Sequence, residues 1–227
     1  MVRSFWVHRG TTPRLETALP ERPTLMSLTF FTAPNSSATS ISVLLDELAV
    51  PHEAVVLDLP KGESRTPQLL ALNPNGKVPT LVVDGTPVFE ALAIAQYLGD
   101  RHGVAKGLWP AFDSASRLEA ISWTTWTYVT YYPALLRLVA SASASPSAAG
   151  AGAATAGGTQ ELLGILDGRL AKAPWMLGAE FSLVDSLMAN VVKFGAYCGA
   201  SFDAHPHVSA WMTKNAARPA FKKHWGG

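Results

Sequence analysis

Three stretches of this chain carry residue types able to do chemistry. The first is TAPNSSATS, residues 32–40, where Asn35, Ser36 and Ser37 stand between a strand-like run and a helical repeat. Asn and Ser at such a junction accept from free amides of the first helical turn, and at least one of the three is expected to do only that. The second is NPNGKVPTLV, residues 73–82, continued by FEALAIAQYL, residues 89–98. It holds Lys77, a flexible point charge, and Val78-Pro79, a bond whose cis form is practicable in a tight turn. It also holds Glu90, which opens a helix. The dipole favours a carboxylate there by about 0.3–1 kcal/mol, and first-turn amides stay free to receive a ligand carboxylate. The third stretch crowds Trp123, Trp126, Tyr128, Tyr131 and Tyr132 into ten residues. Their spacings cannot all turn toward one core, so part of the row is expected to face a cleft and an apolar substrate, with packing between domains the equal alternative for any single one.

Other candidates carry less. Cys198 is the single cysteine, which excludes an intramolecular disulfide and a clustered-thiolate zinc site, and it reads as a small buried side chain. His205 and His207 bracket Pro206 and are too few for a metal site, so no metal is expected. The 227 residues hold 18 Lys and Arg against 17 Asp and Glu. That balance argues against a nucleic-acid binder, because phosphate affinity rests on accumulated cations. The Ser-, Ala- and Gly-rich residues 141–159 are too polar for a membrane span.

The elements that must position these residues follow from periodicity. LTFF, residues 28–31, is strand-like; SISVLLDELAV repeats apolar residues at helical spacing; EAVVLDL, residues 53–59, is a second strand. A short helix is expected around residues 67–72, then a strand at 80–83, a hairpin turn at Asp84-Gly85, a strand at 87–89 and a helix ending near Gly103. The order is βαβαββα. Beyond LWPAFD only helical periodicity remains. The uncharged tract SASASPSAAGAGAATAGGT is expected to be a mobile connection. Leu162, Leu163, Leu166 and Leu170 then share one helix face, Ser182 with Asp185 forms a helix-start box, and a last helix from His207 ends at or just after Pro219. Residues 1–25 carry four arginines and no apolar signal core, and are expected to be a disordered extension before Met26.

This order, with Pro79 opening the third strand, Glu90 opening the last helix of the unit and a helical domain after it, resembles the soluble, bacterial-type glutathione transferases. The resemblance covers roughly residues 28–225 and is most specific over residues 73–98. It implies a thioredoxin-like domain at 26–104 and an all-helical domain at 112–227. It also implies that the main chain of Val78, opened by Pro79, pairs with the cysteinyl part of glutathione, that Lys77 meets its glycyl carboxylate, and that Glu90 takes its γ-glutamyl ammonium. Family members commonly have serine at position 91; Ala91 keeps the amide and deletes one hydroxyl contact. In the 32–40 loop the family uses tyrosine, serine, cysteine or asparagine to stabilise the thiolate by hydrogen bonding and the helix-end field. Ser36 is favoured, with Asn35 and Ser37 as the one-residue alternatives. Trp123, Trp126 and Tyr131 are the expected electrophile pocket.

The activity so implied is addition of the glutathione thiolate to a small apolar electrophile, for detoxification, by a cytoplasmic homodimer without metal, nucleic-acid or membrane partners. Two alternatives stand beside it. One is a glutathione-dependent disulfide reductase or peroxidase, with which the Asn35 loop is compatible. The other is a non-catalytic ligand carrier, slightly favoured by Ala91 and opposed by Lys77, Val78-Pro79 and Glu90.

Overall fold

The computed structural model describes residues 26–142 and 149–226, with side chains placed outside residues 141–157. The expectation for residues 1–25 lies outside the described residues. Strand β1 (Leu28–Thr32) leads into α1 (Ala38–Glu47), then β2 (Glu53–Val56), α2 (Pro67–Leu72), β3 (Thr80–Val83), β4 (Thr86–Phe89) and α3 (Ala91–Leu98). The sheet order is β2-β1-β3-β4. β1 and β2 are parallel, and β3 runs antiparallel to both β1 and β4. The Asp84-Gly85 turn has both residues at positive φ, 47° and 83°, which matches the twist of a two-residue hairpin. Phe30, Ile41, Leu44, Leu81, Ile94 and Leu98 are each at most 1% exposed and form the core between the sheet and helices α1 and α3. Among the described residues this thioredoxin-like unit is followed by helices and their connections, with no further strand.

Those helices are α4 (Ala115–Trp126), α5 (Tyr132–Ala142), α6 (Ala149–Leu170), α7 (Leu183–Tyr197), α8 (Pro206–Ala216) and α9 (Pro219–Trp225). A five-residue π turn, Thr127–Tyr131, joins α4 to α5 just ahead of Pro133. A widened turn accommodates the amide that proline lacks. Two expectations are corrected. Of the Ala- and Gly-rich tract, residues 143–148 lie outside the described residues; from Ala149 onward it is helical, because alanine is the best helix former and the segment continues into the packed face of Leu163, Leu166 and Leu170. The expected single last helix is two, because Pro219 cannot extend α8 but suits the first position of α9. No helix among the described residues is long and apolar enough to cross a membrane.

Inside the helical unit, buried Asp185 accepts from the Ser182 amide (3.0 Å) and hydroxyl (2.8 Å), the Met176 amide (2.7 Å) and the Trp211 indole (2.9 Å). Burial pushes its carboxyl above the ordinary value, against the lowering by those four donors. The helix-start box of the sequence is therefore also a tie between α7 and α8. Helix α1 packs against α7 and α9 across the join of the two units. Glu47 takes both Arg218 donors at 2.7 and 2.6 Å, and Asp46 takes Lys223 at 2.8 Å and His224 at 2.6 Å.

Candidate active site

Strand directions bring four loops to one end of the sheet. β1 and β2 end there, β3 begins there, and the register Thr80↔Phe89 brings the end of β4 to the same edge. The loops are therefore residues 33–37, 57–66, 73–79 and the junction at Glu90. The Ser37 hydroxyl donates to the Val78 carbonyl at 3.3 Å and so fastens the first loop to the third. Asn35, Ser36, Ser37, Lys77, Val78, Pro79, Glu90 and Ala91 thus stand at one end of the sheet.

Within the first loop the three candidates differ. Asn35 is exposed and sits at φ 51°. This left-handed conformation is one that Asn tolerates better than most residues. Ser36 is half-buried; its hydroxyl donates to the Ala33 carbonyl at 2.7 Å and accepts the Ala38 amide at 3.2 Å. It therefore does the capping work at the start of α1. Ser37, itself helical in backbone, is the tie to Val78.

The Val78-Pro79 bond is cis, and the loop before it is held by a residue that pattern reading treats only as part of a turn. Asn73, 2% exposed, donates to the Lys77 carbonyl at 2.9 Å and to the Thr80 hydroxyl at 3.0 Å, and accepts the Asn75 amide at 3.0 Å. Its isolation as a polar residue right after the apolar PQLLAL helix was the available signal. Lys77 is exposed at the rim. Gly76 lies at φ 57°, and a Cβ there would come within 2.8 Å of the Arg65 side chain, so Arg65 rests on the glycine and adds a second cation to this corner.

Glu90 has φ 71° and ψ 122°, a region costing about 1–3 kcal/mol for a non-glycine residue. Its carboxylate caps nothing: it is exposed and makes no bond to the first turn of α3. The helix start thus presents an unused carboxylate beside the amides of a helix whose first residue, Ala91, is 4% exposed.

The aromatic row divides differently from expectation. Tyr131 is 1% exposed and stacks on Trp126 with ring centres 5.7 Å apart. Its phenol lies against Gly195 of α7, so it is a core residue. Trp126 meets Trp123 edge-on at 5.6 Å, and neither they nor Tyr131 line the cavities beside the 33–37 loop. Tyr128 and Tyr132 do, facing Ser36 and Ser37. The Tyr128 hydroxyl is 2.9 Å from Ser40 Oγ, and burial raises its pKa well above the usual phenol value despite that bond. No group of three or more metal-ligating side chains occurs among the described residues.

A thioredoxin-like four-stranded sheet followed by a helical bundle packed on α1 is the architecture shown by glutathione transferases. Residues 26–100 match the description "Glutathione S-transferase, N-terminal domain" and residues 138–219 "Glutathione S-transferase, C-terminal domain". The chain is 32% identical over 195 residues to glutathione S-transferase 3 of Zea mays, covering 81% of this chain and 86% of that one. A sphingomonad glutathione S-transferase solved in complex with glutathione superposes with a TM-score of 0.75 at 30% identity, over 87% of this chain and 96% of that one. The disulfide-bond oxidoreductase YfcG of Escherichia coli (strain K12) is 26% identical over 201 residues, 83% of this chain and 89% of the relative. The chain belongs to the glutathione S-transferase family.

Proposed function

We propose that the protein is a glutathione transferase that joins the glutathione sulfur to small apolar electrophiles. The observation that carries this reading is Glu90, held in a strained backbone with an uncapped, exposed carboxylate at the sheet end shared with Val78 and Ser36. In this reading Glu90 receives the γ-glutamyl ammonium, the α3 amides its α-carboxylate, the Val78 main chain the cysteinyl unit, and Lys77 the glycyl carboxylate. Ser36 turns its hydroxyl proton from Ala33 toward sulfur and lowers the thiol pKa. The thiol proton passes to solvent and a sulfur–carbon bond forms; with an aryl halide the halide departs with the electron pair of its former bond, and with an isothiocyanate the carbon–nitrogen π pair moves to nitrogen, which takes a proton from solvent.

The exposed apolar side chains Leu118 (70%) and Val129 (66%) on α4 and the turn after it support a homodimer burying that face. A single cysteine suits a reducing compartment such as the cytoplasm, and the role is detoxification.

A second reading has its own support. The Ser36 proton is committed to Ala33, whereas the Asn35 side chain is exposed at the loop tip, and YfcG shows that relatives of similar coverage include a disulfide-bond oxidoreductase. There, two glutathione thiols become glutathione disulfide while a disulfide substrate is reduced to two thiols. Purified protein with glutathione, assayed against an aryl halide, an isothiocyanate, a hydroperoxide and a mixed disulfide, decides. Turnover of the first two supports the transferase; turnover confined to the last two moves the assignment to the reductase, and glutathione binding without turnover to a carrier.

A further inference from the structure

Tyr128 and Tyr132 line a crevice between the two units, which Ser36, Ser37 and Ser40 line from the other side. Across it the Tyr128 hydroxyl lies 2.9 Å from Ser40 Oγ, a contact that joins the first turn of α1 to the helical unit over 88 positions of sequence. The direction of this bond follows from counting protons. A serine hydroxyl has one proton to give, and a carbonyl can only accept. Buried Ser40 gives its proton to the Ser37 carbonyl at 2.8 Å, so at the second contact Ser40 Oγ accepts and Tyr128 donates. Burial keeps that phenol protonated, since it raises the pKa well above the usual phenol value.

The bonds run on from Ser40. Ser37 accepts at its carbonyl and donates from its own hydroxyl to the Val78 carbonyl at 3.3 Å. Tyr128, Ser40, Ser37 and Val78 thus form a chain from the turn between α4 and α5 to the residue before the cis proline. Hydrogen bonds in line polarise and strengthen one another. The Tyr128 end is braced: its ring packs on Tyr132 with centres 6.0 Å apart, and Tyr132 packs on Phe194 of α7 at 6.1 Å. At the loop end, by contrast, the Ser36 hydroxyl reaches only its own segment, at Ala33 and Ala38. The loop therefore takes a fixed reference from the helical unit through Ser40.

We propose that Tyr128 is a positioning residue for glutathione, setting through Ser40 the placement of Ser37 and of the Val78 main chain. This rests on the glutathione reading above and deepens it: a residue of the second unit helps to determine affinity for the cosubstrate held by the first. In this role the phenol acts on Ser40 and not on the electrophile.

Titration calorimetry with glutathione on the full chain tests the proposal, with melting temperatures and steady-state kinetics on an aryl halide beside it. Tyr128→Phe keeps the ring and its packing and deletes the donor. It is expected to raise the glutathione Kd about three- to tenfold, the worth of one hydrogen bond, and to raise KM for glutathione similarly while kcat changes by less than about twofold. Ser40→Ala should cause a comparable loss, and the double variant should bind no more weakly than the worse single one, because the two act through one shared bond. A lowered melting temperature at wild-type affinity would make the bond purely structural and overturn the proposal. A fall in kcat alone would overturn it too, by making the phenol a donor to the electrophile, as would additive losses in the double variant. Should one single variant fail to fold, the other decides on the same affinity readout, and unaltered glutathione binding overturns the chain. Failure of the underlying reading would show separately, as no binding of glutathione by wild-type protein, and would take the proposal with it.

Discussion

The two sides of the candidate site are built by different means. On the thioredoxin-like side the contacts proposed for glutathione come mainly from backbone geometry: the edge beside Val78, the left-handed Asn35, the strained Glu90 and the amides of α3. On the helical side the walls are side chains: Tyr128, Tyr132 and Trp225, placed by the π turn and by ion pairs from α9 to α1. Backbone determinants do not depend on neighbouring side chains, whereas a wall of side chains changes with each substitution. A constant cosubstrate suits the first design and a variable electrophile the second.

The comparison can be broken by experiment. The largest effect is expected at Ser36. Ser36→Ala should lower kcat near pH 6.5 by about 10–100-fold through a raised thiol pKa, with the deficit narrowing toward about pH 9. Asn35→Ala and Ser37→Ala in parallel identify the donor, since only its loss will show that pH dependence. If none of the three alters the pH–rate profile, the backbone supplies thiolate stabilisation as well, and the first side of the comparison gains at the expense of side chains.

Glu90→Gln should raise the glutathione dissociation constant by about 10-fold or more, the worth of one charge-assisted contact. Its melting temperature should stay near wild type, because the carboxylate caps nothing. Equal losses of affinity and stability would mark a helix-start residue only. Asn73→Ala should cost about 2 kcal/mol in chemical denaturation, since the Lys77 carbonyl and Thr80 hydroxyl lose a buried donor. Glutathione affinity should fall with it, and a variant destabilised at unchanged affinity would show that the loop holds its shape unaided.

The smallest effect concerns the α9 anchor. Burial tends to raise the Asp46 carboxyl, but the hydrogen bonds and charges of Lys223 and His224 outweigh it and leave the pKa below the usual carboxylate value. A lowered folded-state value stabilises the fold at pH above the unfolded pKa and is lost as pH falls through the folded one. Wild-type protein should therefore lose a small increment of stability on acidification that Asp46→Asn lacks. Parallel melting curves of the two proteins from neutral to acid pH would contradict the anchor.

Much of the backbone side was legible from the chain. Pro79, the Asp84-Gly85 turn and an acidic helix start are local signals with local causes, and the strands at 28–31 and 80–83 and the α2 helix followed from short-range patterning. The side-chain wall was not legible. Arg218 meets Glu47 across 171 positions, and no local period encodes a terminal helix returning to the first one. The aromatic row misled because helical spacing was counted through residues 127–131, where the chain is not in an α-helix. Alanine propensity in the tract before Leu162 was outvoted in the reading by its glycines and serines, although its continuation into a packed face decided the structure.

The π turn between α4 and α5 has a meaning for how such a pocket can diverge. An α-helix advances about 100° per residue, so one residue more or fewer in a turn rotates everything beyond it. Removing a residue between Thr127 and Tyr131 would restore ordinary winding and swing Tyr132 away from its present face, with every other amino acid unchanged. Short insertions and deletions at this joint would thus re-aim the crevice wall without altering the lining residues themselves.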